Sequence, residues 1–293
     1  MIEYQCVIIL PFSIGFLVAD QNLPLSSIDT PVSDLPLVSV FMPVYNQAHY
    51  VAASLDSVLN QTYENFEIVI SDDCSHDLTP IIVKQYAEKY PDKIRFYKLS
   101  NENLGNKHFE LLLKQCKGDY VCMFSGDDIM YPEKIKKQMY DVLRLGLSFH
   151  GHSVDCINAS GQIFSEMGTT ENRFFRSNSS LILNGNPTAG CSWLVRRSFA
   201  HFNQSLGFLH DLDMVIKVLG AGRLGYICAE KLGAYRVTNT SWSKNLSWND
   251  YLRSYTNLLK AWIQSKMYSE CVWLVLRVLV RLPKLPLKIL KMK

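Results

Sequence analysis

The sequence predicts an α/β protein, with a mostly parallel central sheet covered by helices on both faces and a helical, basic tail at the C-terminus. Three observations predict it. From Leu37 onward, short apolar runs alternate with segments of helical period. Each of the first four runs ends on a polar cluster, as expected where the carboxyl ends of parallel strands face a ligand. A chain of 293 residues, 48% hydrophobic and 19% charged, also has the size and composition to bury the core such a sheet requires.

The elements follow in order. "LVSVFM" is a continuous apolar run stopped by Pro43, and Val51, Leu55, Val58 and Leu59 then recur at helical spacing. "FEIVIS" reads as a second strand. "TPIIVKQYAEKY" reads as a helix with Thr79 as N-cap and Pro80 at its first position. "IRFYKL" is the third strand, followed by a helix near residues 107–116. The strand "DYVCMFS" precedes a helix that begins on Pro132 and stops at Gly146. Strands alternating with helices of this length imply parallel pairing through crossovers. The segments "PVYN", "DDCS", "NENLG" and "SGDD" then all fall on one edge of the sheet.

The half beyond residue 150 is less regular. "GNPTAGCSWLVRRSF" predicts a loop entering a buried strand and then a helix. "FLHDLDMVIKVLGAGRLGYI" predicts an acidic helix start, a helix ended by Gly220 or Gly222, and another strand. No internal repeat or low-complexity linker divides the chain. The organisation expected is an N-terminal extension (1–35), one domain (36–245) in two halves (36–150 and 151–245), and an amphipathic helical region (246–293).

Composition excludes some classes. A net charge of +3, without a basic patch interleaved with aromatics, argues against nucleic acid as a partner. The cysteines are scattered, with no C-x-x-C pair and no Cys/His cluster at zinc spacing, and read as reduced thiols of a cytoplasmic protein. The apolar run from Cys6 to Ala19 is shorter than a membrane span, contains Pro11 and Gly15, and follows a start without Lys or Arg. No cleaved signal is expected. An upstream start, an extra strand and a weak membrane contact stay open as its explanation.

"FSGDDIM" sets Asp127 beside Asp128 at the end of the fourth strand. Adjacent acids at such a place are either turn and cap residues or the seat of a divalent metal, which would hold both charges close. Asp211 reads locally as the N-cap of the helix beginning near Leu212, with Asp213 an equally good first-turn acid.

Taken together, these segments resemble the family 2 glycosyltransferases and their GT-A (Rossmann-like) fold, of the bacterial surface-polysaccharide type. The likeness covers roughly residues 36–245, and implies that 36–150 is a nucleotide-binding half and 151–245 an acceptor-binding half. It rests on "LVSVFMPVYNQAHYVAASLDSVLNQTYENFEIVISDDCSHDLT", "KGDYVCMFSGDDIMYPEKIKKQ", "HDLDMVIKV" and "AYRVTNTSWS". The resemblance implies that Pro43 and Tyr45 border the nucleotide base and ribose, with Asn46 shaping the turn. It implies that Asp73 accepts a hydrogen bond from the base, commonly uracil, and that Asp127 coordinates a metal (Mn2+ or Mg2+) bridging the donor phosphates. Asp128 would orient ligands or water beside that metal, and Asp211 would be the general base. Two departures bear on chemistry: Ser125 replaces the first aspartate of the usual Asp-x-Asp-Asp, and His210 replaces the glutamate before the base. The loop "NKHF" is about one residue short of the common pattern, so Lys107 and His108 are assigned no role.

The function expected is metal-dependent, inverting transfer of a sugar from a nucleoside-diphosphate donor, UDP-sugar favoured, to a glycan or lipid-linked hydroxyl. Trp193 is a candidate for stacking on the acceptor or for the core. Arg236 is a candidate for a donor phosphate or a surface ion pair. Two alternatives stay open: a decayed nucleotide-sugar binding or scaffold protein, motivated by Ser125 and His210, and a nucleotidyltransferase, against which "PVYNQAHY" lacks a Gly-rich, basic phosphate loop. In the tail, Arg277, Arg281, Lys284, Lys288, Lys291 and Lys293 follow the last acid, Glu270. This is either a peripheral contact with the cytoplasmic face of an anionic membrane or a docked helix with Arg277 and Arg281 on a solvated face.

Overall fold

The computed structural model describes residues 35–175, 182, 188–220, 225–238 and 247–281. The apolar run of residues 6–19 and the basic residues from Lys284 onward lie outside them.

The chain runs β1 (Val38–Val44), α1 (Val51–Leu59), β2 (Phe66–Asp72), α2 (Thr79–Lys89), β3 (Ile94–Tyr97), α3 (Asn106–Leu113), β4 (Tyr120–Met123) and β5 (Ile129–Met130). It continues with α4 (Lys134–Leu145), β6 (Phe149–Ile157), β7 (Ile163–Met167), β8 (Arg173–Phe175), β9 (Leu194–Arg196), α5 (His210–Gly220), β10 (Gly225–Arg236), α6 (Trp248–Gln264) and α7 (Tyr268–Arg281). The strands form one sheet in the order β3-β2-β1-β4-β9-β6-β10-β5, with β7 paired to β6 and β8 to β10. Strands β1 to β4 are mutually parallel; every antiparallel pair involves the second half. Because β1 lies between β2 and β4, the strand order reverses at β1, and a crevice opens there at the carboxyl ends.

Alternation along β1 builds the two faces. Val38, Val40 and Met42 pack with Leu55 of α1, Val83 of α2 and Met139 of α4. Phe41 points the other way, into a core shared with Leu112 of α3, Val215 of α5, Trp262 of α6 and Leu274 of α7. Trp193 belongs to this second core at 1% exposure, and its Nε1 donates to Thr188 Oγ1 at 3.0 Å. It is therefore core and does not stack on an acceptor.

Several local expectations change. Thr79 does not cap α2: Leu78 stands at the cap, and Thr79 Oγ1 instead accepts from the Gln47 backbone at 2.8 Å. α4 begins at Lys134, two residues after Pro132, and closes on Gly146 in the left-handed region as expected. The segment after β9 is a short 3-10 turn (Arg197–Phe199) in place of a helix. The largest change is in α7. Arg277 is buried at 7% exposure, donating to the Ile182 carbonyl at 2.7 Å with its guanidinium 5.9 Å from the centre of the Tyr255 ring. The outward face instead carries Tyr268, Val272, Trp273, Val275 and Leu276. Among the described residues, no helix is long and apolar enough to cross a membrane.

Asp213 joins α5 to the rest of the second core. Fully buried, its carboxylate accepts from Trp262 Nε1 (2.8 Å), Lys217 Nζ (2.8 Å) and His201 Nε2 (2.9 Å). Burial alone would raise its pKa, but the His201, Lys217 and Trp262 donors carry it below the ordinary carboxylate value. The stabilisation is therefore present above the unfolded-state pKa of about 4 and is lost as pH falls through the lower folded value. Asp213→Ala should cost about 3–5 kcal/mol in urea unfolding, since it leaves buried donors unanswered. It should also weaken the dependence of stability on pH below about 4.

Candidate active site

The carboxyl ends of β1, β2, β3 and β4 converge, and backbone N–H groups donating to side-chain oxygens stitch their loops together. After β1, Asn46 adopts φ 50°, a left-handed conformation that asparagine tolerates. Its Oδ1 accepts from the His76 N–H at 2.9 Å and its own N–H donates to Ser75 Oγ at 2.8 Å. The Ala48 N–H donates to Asp77 Oδ2 at 3.0 Å. Asp77 sits below the ordinary carboxylate range: desolvation pushes it up, but hydrogen bonds from Thr79 and Ala48 outweigh that. Asp72 closes the same knot by accepting from the Ser75 N–H and hydroxyl. Ser75, His76 and Asp77 thus shape the turn that displays Tyr45, which is exposed and edge-on to the His76 ring at 6.4 Å. Pro43, within β1, lies beside Ser71 of β2.

Asp73 is buried, and its two oxygens accept from the Leu104 N–H (2.8 Å) and the Gly105 N–H (2.9 Å). It ties the β3 loop to the end of β2, and each oxygen keeps a further lone-pair site. His108, behind it, is buried with Nε2 2.8 Å from Ser71 Oγ, and burial lowers its pKa despite Asp73 and Asp72 nearby.

At the end of β4 the two adjacent acids part company. Asp127 is half-buried at the crevice, while Asp128 is 2% exposed and turned inward. Asp128 Oδ1 accepts from the Arg236 N–H of β10 at 2.8 Å, and Cys191 of the 3-10 turn Gly190–Ser192 hydrogen-bonds to the same carboxyl. Burial, then the charge of Asp127, pushes Asp128 well above the ordinary carboxylate range. Asp127 is raised too, by burial, against a hydrogen bond from Ser125, its own backbone and the charge of Arg236. Ser125 Oγ in turn accepts from Gln47 Nε2 at 3.2 Å, closing the crevice floor between β1 and β4.

Arg236 is neither a surface ion pair nor a free phosphate binder. Its Nε donates to the Asp127 carbonyl (2.7 Å) and its NH1 to the Asn158 carbonyl (2.8 Å), and the guanidinium lies 4.6 Å from the centre of the Tyr50 ring. Asp211 stands in the first turn of α5 with its side chain 36% exposed. Its Oδ1 is 2.9 Å from His210 Nε2, and Oδ2 faces Gly190, where an added Cβ would lie 3.8 Å away. The Gly190–Ser192 turn therefore lies near Asp211 through Gly190 and near the Asp127–Asp128 pair through Cys191. Among the described residues, no group of three or more His, Cys, Asp and Glu side chains is arranged to hold a metal ion.

Sequence reasoning missed Ser75, His76, Asp77, Gln47 and Cys191. "DDCS" reads in sequence as a polar cluster at a strand end, but nothing local showed that the segment after it would clasp the loop after β1.

The model of Glycosyl transferase family 2 matches residues 39–202. Among curated relatives, an uncharacterized glycosyltransferase of Rickettsia felis is 30% identical over 244 residues, covering 75% of this chain but 39% of that longer protein. A UDP-Glc:alpha-D-GlcNAc-diphosphoundecaprenol beta-1,3-glucosyltransferase, WfgD, of Escherichia coli is 28% identical over 223 residues, covering 71% of this chain and 80% of its own. Among solved structures, S. aureus TarS 1-349 in complex with UDP-GlcNAc superposes with a TM-score of 0.65 at 17% identity, over 82% of this chain and 72% of that one.

Gly126 is the residue the crevice floor tolerates least: a Cβ there would lie 2.5 Å from Gln47 Oε1 and 2.6 Å from Val44 Cγ1. Gly126→Ala should lower the stability measured by chemical denaturation by about 1–3 kcal/mol, the usual cost of overpacking.

Proposed function

The chain belongs to glycosyl transferase family 2, and on that premise we propose that it transfers a sugar, with inversion, from a UDP-sugar to a hydroxyl of a glycan or lipid-linked acceptor. The observation that carries this is that one short turn, Gly190–Ser192, meets both sets of acids: Asp211 Oδ2 beside Gly190, and the Asp127–Asp128 pair beside Cys191. Inversion needs a leaving group on one face of the sugar and a base on the other. Support for the donor and acceptor classes comes from the UDP-GlcNAc held by TarS and from the lipid-diphosphate acceptor in the name of WfgD.

Each residue has a part. Tyr45 offers an exposed ring to the base or ribose from a turn that Asn46 sets, and Pro43 stiffens the strand end beneath it. Asp73 offers its spare lone pairs to a donor group on the base, such as the N–H of uracil. Asp127 fits a divalent cation: it is a desolvated carboxylate raised in pKa, and the described residues form no ion pair with it. Magnesium takes only one or two protein carboxylates, so Ser125 does not preclude a site in which Asp127 is the direct ligand and Asp128 a buried support. Mn2+ or Mg2+ held there supplies neutralisation of the charge left on the diphosphate. Asp211 Oδ2, free of His210, takes the acceptor hydroxyl's proton.

A peripheral membrane contact belongs to this reading, through a surface other than the one expected. The outward face of α7 carries Val272, Trp273, Val275 and Leu276, and the sequence that follows adds Lys284, Lys288, Lys291 and Lys293 with no acid. An apolar face with a tryptophan, followed by lysines, suits an anionic bilayer surface. Wild-type protein should co-sediment with phosphatidylglycerol vesicles, and Trp273→Ser with Leu276→Ser should reduce this at least fivefold. Failure of the wild type to bind would dispose of the contact.

The transfer itself is tested by incubation with UDP-glucose, UDP-GlcNAc and manganese while UDP release is followed. Asp127→Ala and Asp211→Asn should each lower turnover by about 10²- to 10⁴-fold, the range for loss of a general base or comparable group. Binding of UDP without turnover across acceptors would favour a scaffold, and pyrophosphate release a nucleotidyltransferase.

A further inference from the structure

The residue before Asp211, where the family pattern has glutamate, is a histidine whose two ring nitrogens both face acceptors. His210 Nδ1 lies 2.7 Å from the Gly207 carbonyl oxygen and Nε2 lies 2.9 Å from Asp211 Oδ1. A carbonyl oxygen has no proton to give, and an ionised carboxylate has none either. A neutral imidazole carries one N–H and can satisfy only one of these partners; the imidazolium satisfies both. The surroundings hold the ring in this pose. His210 is 8% exposed, with Phe109 of α3 at 5.5 Å and Phe202 at 5.1 Å between centroids. Gly207 turns its carbonyl toward the ring at φ 56°, where an added Cβ would lie 2.3 Å from Ser254 Oγ.

We propose that His210 is a positioning residue, held as an imidazolium, that fixes Oδ1 of Asp211 and leaves Oδ2 directed toward Gly190 to meet the acceptor hydroxyl. The proposal rests on the reading of Asp211 as the base and deepens it. It also separates the departure at His210 from decay of the site: the histidine replaces an anion beside the base with a cation that orients it.

The electrostatics agree in direction. Burial alone pulls the His210 imidazole down, but the charge and hydrogen bond of Asp211, the Gly207 carbonyl and the charge of Asp213 carry it above its ordinary value of 6.5. Asp213 is itself tied to His201, Lys217 and Trp262. α3 packs Phe109 on the ring, and its His108 is held by Ser71; α6 brings Ser254 beside Gly207 and Trp262 onto Asp213. With the folded value raised, the orienting contact is fully present below the unfolded value of about 6.5 and is lost as pH rises through the folded one.

The decisive measurement is 15N NMR of the His210 ring in the full chain between pH 6 and 9. Two protonated nitrogens at pH 7, with a transition above the ordinary histidine range, are expected. A singly protonated ring at pH 7 overturns the proposal whatever the activity. In the UDP-release assay, His210→Gln should lower kcat by about 10- to 100-fold, the scale of a misaligned reacting group, with KM for the donor unchanged. It should also abolish the alkaline limb that wild type shows. A limb that persists unaltered in His210→Gln overturns the proposal. Full turnover by Asp211→Asn, with the imidazolium signal intact in wild type, would remove the base assignment and this proposal with it, so the two failures are distinguishable.

Discussion

The buried carboxylate of Asp128 is the constraint on which the site depends. An acid taken out of water needs donors inside the protein, or it must keep its proton. Asp128 meets donors from two distant parts of the chain, the Arg236 N–H of β10 and Cys191 of the Gly190–Ser192 turn. Those contacts hold β10 and the Gly190–Ser192 turn at the end of β4, beside the β4–β9 and β5–β10 pairings that join the irregular second half to the regular first. The strand ends on two acids because they do different work: one is sunk as an anchor and the other is held at the crevice. Their repulsion is relieved by burial, which favours a proton on the deeper of the two.

Arg236 follows from the same geometry. An arginine beside two carboxylates invites the reading of a neutralising ion pair, yet its guanidinium donates to the main-chain carbonyls of Asp127 and Asn158 and packs on Tyr50. Its charge tempers Asp127 at a distance without occupying it. Among the described residues, no basic side chain forms an ion pair with Asp127, which leaves that acid open to a cation of the kind proposed.

How much of this was legible in the sequence depended on how local the cause was. β1 to β4 and the helices between them follow from periodicity, and α2 and α4 from Pro80 and Gly146, because each is specified within a few residues; Pro43 does not stop β1, which pairs with β2 through Pro43 and Val44. The convergence of four polar clusters followed from the strand order that such alternation implies. Thr79, Trp193, Asp128 and Arg277 were misread or half-read for the opposite reason. Thr79 is diverted from its helix by Gln47, and Trp193 is drawn inward by Thr188. Arg277 is taken inside by the Ile182 carbonyl and Tyr255, which inverts the face that the charge pattern of α7 suggested. Each of these partners is a tertiary one, and a one-dimensional pattern of charge and hydropathy carries no information about it.

The first turn of α5 shows how two acids two residues apart can have unlike roles. Asp213 faces the core and is locked by three donors, one of them Trp262 of α6. Asp211, about 200° further round a helix of 100° per residue, faces the crevice. The locked acid fixes the helix that carries the free one, so the orientation of Asp211 is inherited from the core and finished by His210. On the proposed reading of Asp211 as the base, alignment is what the core contributes, because misplacement of a reacting group by a single ångström can cost about 10²-fold.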